Sequence, residues 1–320
     1  MKQLASILTA LILAHPMVVR AGEFNVAPGG QGMSPGISSM LLLAGTVLGA
    51  PPAGEPTNAK EAALQQKKSS GVTPQLLERE AKRKAVMTPE QLAWEETLEA
   101  NLGSFYLPLY YKDKDAGRET AWDYVKDDPA LPRLLIIGDS ISRGYTQAVR
   151  KKLAGKVNVH RAPANCGPTA TGLKKFDVWL GTRKWDVITW NFGIHDRKTA
   201  PATYKKNLGT LLKQLQATGA KVIWVRTTPA PPSGKNAEEF SDAQCDQVNL
   251  IADEVMQANH IQEVDLHALL KPKLAEVQLP NNVHFKDEGY NLMGEVVAKA
   301  VHGTLKSQKS DVNAPRAGKE

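Results

Sequence analysis

The apolar residues between positions 131 and 305 fall into short continuous runs that alternate with longer amphipathic stretches. Leu134 to Ile137 is apolar at every position, which is typical of a strand buried on both faces. Similar patterns predict further strands at 157–160, 187–191, 222–226 and 261–266, and helices at 143–153, 171–180, 202–217, 241–259 and 287–304. Strands that alternate with helices predict one α/β domain over residues 131–305, with a parallel sheet covered by helices on both faces.

The segment before this domain, residues 86–130, carries helical and aromatic signals. Thr88-Pro89-Glu90-Gln91 is typical of a helix start, with Thr88 as the cap and Gln91 completing a capping box. Aromatic residues follow, from Phe105 to Trp122, and aromatic side chains in such a position usually belong to a core. We therefore predict an N-terminal extension, residues 86–130, that packs on the main domain.

Two further segments lack a pattern that predicts packing. Residues 51–85 are rich in Ala, Pro, Gly, Lys and Gln, and we interpret them as a flexible linker. Residues 306–320 are polar, and we predict that they form a disordered tail.

Residues 1–50 have the features of an export region. Lys2 precedes an apolar run, Leu4 to Ala14, which is too short to span a bilayer and fits the core of a secretory signal. A second apolar run, Met40 to Leu48, also ends in small residues, so the cleavage site stays open. We predict that the protein is exported, either periplasmic or secreted, and we expect no stable membrane span.

Charge and cysteine content change this picture little. The chain of 320 residues has a formal net charge of +7, but no compact basic motif with interleaved aromatic residues indicates nucleic acid as a partner. Cys166 and Cys245 can form one disulfide in an exported protein, or they can be two separate buried thiols. No CxxC pair or Cys/His cluster indicates a metal site, so we expect neither a metal nor an organic cofactor.

Residues with catalytic potential follow several of the predicted strands, at the sheet edge where ligands bind in open α/β folds. Ser140 lies in a Gly-Asp-Ser turn that opens a helix, a placement that suits a nucleophile with backbone N–H groups nearby. Gly167 in the second loop can leave its N–H free to donate. Asn191 to Asp196 end the third strand, and His284 lies just before the last helix.

Taken together, these four segments resemble the SGNH (GDSL-like) hydrolases, a family named for a Ser, Gly, Asn and His in four sequence blocks. The resemblance covers residues 131–305 and is carried by Gly138-Asp139-Ser140, Asn165 to Gly167, and His284-Phe285 with Gly289-Tyr290. It implies a three-layer α/β/α sandwich with a mostly parallel, flavodoxin-like sheet, and it implies a serine esterase.

The resemblance also implies roles for single residues. Ser140 would attack an ester carbonyl, and His284 would take its proton as general base. The backbone N–H groups of Ser140 and Gly167 would donate to the oxyanion. We interpret Asp139 and Asp196 as supporting acceptors that brace the loops of the site.

Two positions depart from the family's pattern. Its third block usually reads Gly-x-Asn-Asp, whereas this chain has Gly193-Ile194-His195-Asp196, so His195 is our first candidate for the oxyanion donor and Asn191 the second. The aspartate expected three residues before the histidine is Asn281. An amide can accept from the imidazole but cannot stabilise imidazolium as a carboxylate does. Asn281, a backbone carbonyl or a more distant carboxylate therefore stay open as the group that orients His284.

The expected substrate is a small-molecule or polysaccharide ester, with a carbohydrate acetylesterase or a related acylesterase as the first hypothesis. Two alternatives stay open. Asn281 supports a non-catalytic carbohydrate-binding relative, and an acyltransferase would use the same residues with an acceptor other than water.

Overall fold

The computed structural model describes residues 72–231 and 240–313, with side chains to residue 307. The predicted export region 1–50 lies outside these residues, as do the first part of the predicted linker, 51–71, and the end of the predicted tail, 314–320.

Three helices precede the sheet: α1 (Pro74–Lys84), α2 (Pro89–Asn101) and α3 (Gly103–Asp115). The predicted capping box at the start of α2 is present. The prediction of a flexible linker is wrong for α1, which starts after the capping side chain of Thr73 and buries Leu76. The composition of residues 51–85 indicates a linker, but α1 also carries many charges.

Those charges are paired within the extension. The Arg83 guanidinium contacts Glu80 at 2.6 Å and Glu95 at 2.7 Å, and the Tyr110 hydroxyl donates to Glu95 at 2.6 Å. Because buried charges are tolerated only when they are paired and hydrogen-bonded, this network explains how a charged segment can join a core.

A sheet of five parallel strands forms the centre of the main domain, in the order β2-β1-β3-β4-β5. The strands are β1 (Arg133–Ile137), β2 (Asn158–Arg161), β3 (Val187–Trp190), β4 (Lys221–Val225) and β5 (Gln262–Val264). The predicted three-layer fold with a flavodoxin-like parallel sheet is confirmed, because this strand order is the flavodoxin-like one.

The helices of this domain are α4 (Ser140–Leu153), α5 (Thr169–Leu180), α6 (Pro201–Ala217), α7 (Asp242–Ala258), α8 (Leu266–Leu270), α9 (Leu274–Val277) and α10 (Asp287–Asn313). Alternate residues of each strand face opposite layers. Leu135 and Ile137 pack in the core that includes α5, α6 and α7, whereas Leu134 and Ile136 pack in the core that includes α4 and α10.

The last helix is longer than predicted. It continues to Asn313, so residues 306–313 of the predicted disordered tail are helical. The apolar face of α10 explains part of this extension, since Val301 is buried and Leu305 still packs against the core. None of the helices within the described residues is long and apolar enough to cross a membrane.

Two glycines allow α4 and α10 to approach closely. A Cβ atom on Gly144 would lie 2.1 Å from the ring of Tyr290, and one on Gly294 would lie 2.4 Å from the Cβ of Ala148. Both distances are far below van der Waals contact. At Gly294 only the methyl group of Ala148 lies between the two helices, and at Gly144 the missing side chain makes room for the Tyr290 ring.

We expect Gly294→Ala to lower the free energy of unfolding by about 1–3 kcal/mol, because an added methyl group overpacks this contact. Gly303→Ala, on the same helix, is the matched control, since a Cβ atom there meets nothing within 4 Å. Alanine's higher helix propensity should raise the stability of that variant by about 0.5–1 kcal/mol. Urea unfolding measures both, and equal effects would contradict the close helix contact.

Candidate active site

Ser140 is the first residue of α4 and follows β1 across a two-residue turn. Asp139 caps the helix, with its Oδ1 accepting from the N–H of Ile141 at 2.9 Å. The first N–H groups of a helix have no acceptor within it, and the positive end of the helix dipole lies there. The N–H of Ser140 can therefore donate to negative charge that develops beside its own hydroxyl.

His284 lies against this hydroxyl although the two residues are 144 positions apart: its Nε2 is 2.8 Å from Ser140 Oγ. The loop that carries His284 is held by its own backbone, since the carbonyl of His284 accepts from Leu279 N at 3.0 Å. The predicted convergence of the first and last loops at one edge of the sheet is thus present. A separation of 2.8 Å is within the range for proton transfer.

Asn282, and not Asn281, contacts the other nitrogen of the His284 ring. Its Oδ1 lies 2.7 Å from His284 Nδ1 and also accepts from the backbone N–H of His284 at 3.1 Å. Asn281 is exposed and has a positive φ of 54°. The prediction that Asn281 orients the histidine is therefore wrong by one residue, because the turn directs the next amide to the ring.

This double contact determines the tautomer of His284. A backbone N–H can only donate, so the Asn282 atom that it meets must be the carbonyl oxygen. That oxygen can only accept, which places the ring proton of His284 on Nδ1. The unprotonated Nε2 is then left to accept from the Ser140 hydroxyl. A neutral amide thus provides the orientation that a carboxylate usually provides.

The environment of His284 favours its neutral form. Burial lowers the pKa of His284 below its ordinary value of 6.5. The carboxylate of Asp139 works against this shift, whereas the positive charge of Arg143 and the neighbouring His195 add to it. The ring is consequently neutral at pH 7, as a general base must be.

The second loop approaches the nucleophile turn through its backbone. The N–H of Cys166 donates to the carbonyl of Gly138 at 3.2 Å. The next residue, Gly167, has a φ of 65°, a conformation that favours glycine. Within the part of the chain that the structure describes, the N–H of Gly167 meets no acceptor, so it can serve as the predicted oxyanion donor.

The third block leaves His195 as its candidate donor. Asn191 does not fit the role, because its amide already donates to Val225 O at 2.7 Å and to Thr227 Oγ1 at 3.2 Å. Its position near the strand end directs it toward β4. The His195 ring is partly exposed, and its Nε2 lies 3.8 Å from Asp139 Oδ2. His195 therefore lies at the same rim as Ser140 and His284.

Asp196 holds two loops of the site together, as predicted. Its carboxylate accepts from the N–H of Thr169 at 2.7 Å and from the hydroxyl of the same residue at 2.6 Å. Burial raises the pKa of Asp196, and the hydrogen bonds from Thr169 oppose that rise. This contact ties the third block to the start of α5, just beyond Gly167.

Comparison with known proteins identifies the family. Residues 136–292 match the model of the GDSL-like Lipase/Acylhydrolase family. The chain carries a GDSL-like lipase/acylhydrolase domain. It is accordingly an ester hydrolase by family.

Curated relatives of this GDSL-like domain include an arylesterase of Vibrio mimicus, 24% identical over 189 residues, which are 53% of this chain and 88% of the arylesterase. Esterase TesA of Pseudomonas aeruginosa is 29% identical over 126 residues, or 35% of this chain and 63% of TesA. Among solved structures, a lipase/acylhydrolase from Enterococcus faecalis aligns with a TM-score of 0.49 and 23% identity, covering 54% of this chain and 96% of its own.

Arg161, at the end of β2, holds the nucleophile turn of the GDSL-like domain. It is only 1% exposed, and its guanidinium donates to the carbonyls of Gly138 at 3.0 Å, Asp139 at 2.7 Å and Ala164 at 2.6 Å, and to Ser142 Oγ at 3.0 Å. Burial lowers its pKa. Sequence reasoning missed this residue, because a single arginine after a strand carries no signal of what it meets.

The N-terminal extension also reaches the site. Burial raises the pKa of Tyr106, on α3, and the positive charge of Arg143 opposes the rise. The Tyr106 ring meets that of Trp122 edge-on at 5.6 Å. Arg143 lies 5.6 Å from the Tyr106 ring centre and 5.8 Å from that of Trp122. Sequence analysis had assigned no chemistry to these aromatic residues.

A cluster of potential metal ligands lies elsewhere, at the start of α7 and in α8. Asp242, Asp246 and His267 place ligand atoms within 4.8 Å of one another. Lys271 already contacts Asp242 at 3.0 Å, and His267 Nε2 lies 3.1 Å from the same carboxylate. We therefore interpret the cluster as an ion-pair network.

Cys166 and Cys245 are two unpaired, buried thiols, so the disulfide that the sequence left open is not formed. Burial raises the pKa of each thiol to about 12. Thiolate is the reactive form of cysteine, and both residues should therefore be inert in the folded protein.

We expect Ellman's reagent to leave the native protein unlabelled and to titrate both thiols once it is unfolded in guanidinium without reductant. The physical reason is that unfolding removes the burial that raises each pKa. Intact mass after alkylation checks the count. Protein that shows free thiols only after reduction would contradict this assignment.

Proposed function

We propose that this protein is a serine ester hydrolase in which Ser140 is the nucleophile and His284 the general base. The observation that carries the proposal is the 2.8 Å contact between Ser140 Oγ and His284 Nε2, in the tautomer set by Asn282. A hydroxyl beside an unprotonated ring nitrogen is the arrangement that activates a weak nucleophile.

The reaction follows from this geometry in two halves. In the first, Ser140 Oγ attacks the ester carbonyl while Nε2 of His284 takes the hydroxyl proton, which it then gives to the leaving alcohol. An acyl-serine ester remains. In the second half, His284 activates water by the same route, and attack of water releases the acid and restores the serine.

Three groups are proposed to stabilise the oxyanion: the N–H of Ser140, the N–H of Gly167 and the ring of His195. The first two have no acceptor within the described residues. Removal of a single such donor typically costs about a hundredfold or more in rate. The buried cation of Arg161 supports the same site indirectly, by holding the turn on which Ser140 lies.

The proposed alcohol part of the substrate contains a ring, either a sugar or an aryl group. Phe105 is 69% exposed and meets the ring of Tyr106 edge-on at 4.8 Å, and the Tyr106 ring centre lies 5.6 Å from the guanidinium carbon of Arg143, one helical turn from Ser140. Aromatic side chains bind such rings by stacking. A carbohydrate acetylesterase remains the first candidate, and the arylesterase relative favours a small aryl ester as the test substrate.

Of the alternatives, the non-catalytic carbohydrate-binding protein loses its main support, because Asn282 supplies the acceptor that Asn281 does not. Acyl transfer uses the same residues, and product analysis with an added alcohol separates it from hydrolysis. Export through residues 1–50 stays a proposal that rests on the sequence.

We expect the purified protein to hydrolyse 4-nitrophenyl acetate and Ser140→Ala to lose at least about a thousandfold of that activity. A fluorophosphonate probe should label the wild type at Ser140 and label His284→Ala weakly. Ser307→Ala, an exposed serine on α10, is the control and should behave as wild type. Full activity in Ser140→Ala would end the proposed mechanism.

The pH dependence tests the role of Asn282. Because burial lowers the pKa of His284, kcat/KM should fall only as the pH drops below about 6.5, where the base becomes protonated. Asn282→Asp places a negative charge beside Nδ1, which favours imidazolium and should move this acid limb to higher pH. Asn282→Ala should lower kcat about tenfold or more, since the ring loses the acceptor that holds its tautomer.

Asn282→Asp and Asn282→Ala together distinguish an orienting role of Asn282 toward His284 from a role in stability alone. A destabilised protein would lose activity in Asn282→Ala without any movement of the acid limb in Asn282→Asp. An unchanged midpoint in Asn282→Asp, with folding intact by circular dichroism, contradicts the assignment of Asn282.

A further inference from the structure

Arg143 lies one helical turn beyond Ser140 on α4, close enough to His284 for its charge to lower the pKa of that ring. Its guanidinium forms no hydrogen bond or ion pair with residues 72–231 or 240–313. The Nε atom is buried and has no acceptor. Proteins usually pair such a donor, so an unpaired one at a candidate active site needs an explanation.

The other charges around Ser140 do not supply a partner. Asp139, the nearest carboxylate in sequence, contacts Ile141 N and faces His195. Arg161 lies 5.3 Å from the same Trp122 ring that Arg143 approaches, but its guanidinium is occupied by backbone carbonyls and Ser142. Arg143 therefore has no hydrogen-bonded or ion-paired carboxylate among the described residues, and its positive charge stays available at the rim of the site.

The extension holds Arg143 in place. The rings of Tyr106 and Trp122 lie 5.6 and 5.8 Å from its guanidinium carbon, within the range of cation–π contacts. Such contacts restrain an arginine while leaving its N–H groups free to donate. A restrained guanidinium is suited to planar, two-pronged binding of a carboxylate or a sulfate, with little ordering cost when the anion arrives.

We propose that Arg143 binds an anionic group, a carboxylate or a sulfate, on the substrate beside the ester that Ser140 attacks. The enzyme would then select acidic esters over neutral ones, such as esters of acidic sugars. The inference rests on the proposed function for its catalytic readout, and a binding measurement tests it separately.

The first test compares matched esters that differ in one charge. 4-Acetoxybenzoate and its neutral methyl ester place the anion on the alcohol side, whereas 4-nitrophenyl hydrogen succinate and its methyl ester place it on the acyl side. Wild type should show kcat/KM about tenfold to a hundredfold higher for the anionic member of one pair, relative to the ratio in Arg143→Gln. The pair that responds tells on which side of the ester the anion lies.

Two variants control for charge and for packing. Lys151→Gln removes an exposed positive charge from the same helix and should keep the wild-type ratio of anionic to neutral rates. Arg143→Lys keeps the positive charge but loses the planar guanidinium group. This variant should therefore keep only part of the preference for anionic esters. The same ratio in wild type and Arg143→Gln for both pairs overturns the inference.

A second readout does not depend on turnover. Calorimetry should show that Ser140→Ala binds the anionic member of one of the two pairs at least about tenfold more tightly than its methyl ester, and that adding Arg143→Gln abolishes the difference. If wild type hydrolyses none of the four esters but Ser140→Ala shows this selective binding, the proposed function fails and the inference stands. Equal binding of the anionic and the neutral member of both pairs by Ser140→Ala overturns the inference whatever the activity.

Discussion

The packing of α4 against α10 is the contact on which the candidate site depends. α4 begins with Ser140, and α10 begins soon after His284, so the distance between these side chains follows from how closely the two helices approach. Gly144 makes room for the ring of Tyr290 on the facing helix, and Gly294 makes room for Ala148. A close-packed interface of this kind deforms little, and a proton-transfer contact tolerates little displacement. The close packing of the two helices therefore holds His284 Nε2 at 2.8 Å from Ser140 Oγ.

The polar side of the site depends on backbone groups more than on carboxylates. The Arg161 guanidinium donates to backbone carbonyls of the first and second loops. The Asp196 carboxylate accepts from the N–H at the start of α5 and so connects the third block to that helix. His284 is oriented by the neutral amide of Asn282. With no carboxylate on Nδ1, the ring stays neutral to lower pH but gains less stabilisation when it accepts a proton. His284 is therefore expected to be a weaker base than one paired with a carboxylate, but to stay unprotonated at mildly acidic pH.

The N-terminal extension is part of the site and not only a cover for the sheet. Its buried ion network around Arg83 and Glu95 stabilises a three-helix unit whose α3 carries Tyr106. Tyr106 and Trp122 in turn flank Arg143, a residue of the GDSL-like domain. The family residues thus supply the ester chemistry, and the extension adds surface and restraint on one side of the nucleophile. Substrate choice can change through this segment without any change in the reacting groups.

The sequence alone determined the layered α/β fold, and its resemblance to the SGNH hydrolases predicted the meeting of Ser140 with His284. Continuous apolar runs, alternation with helices and the rule that ligands bind at the carboxyl edge depend only on local pattern and chain chirality. Only the tertiary structure decided that Asn282 holds the ring of His284, that Asn191 donates to its neighbouring strand, and that Tyr106 packs against Arg143. These contacts depend on turn geometry and on rotations of packed helices, where one residue or a few ångströms changes the partner. Local sequence pattern does not specify positions at that scale.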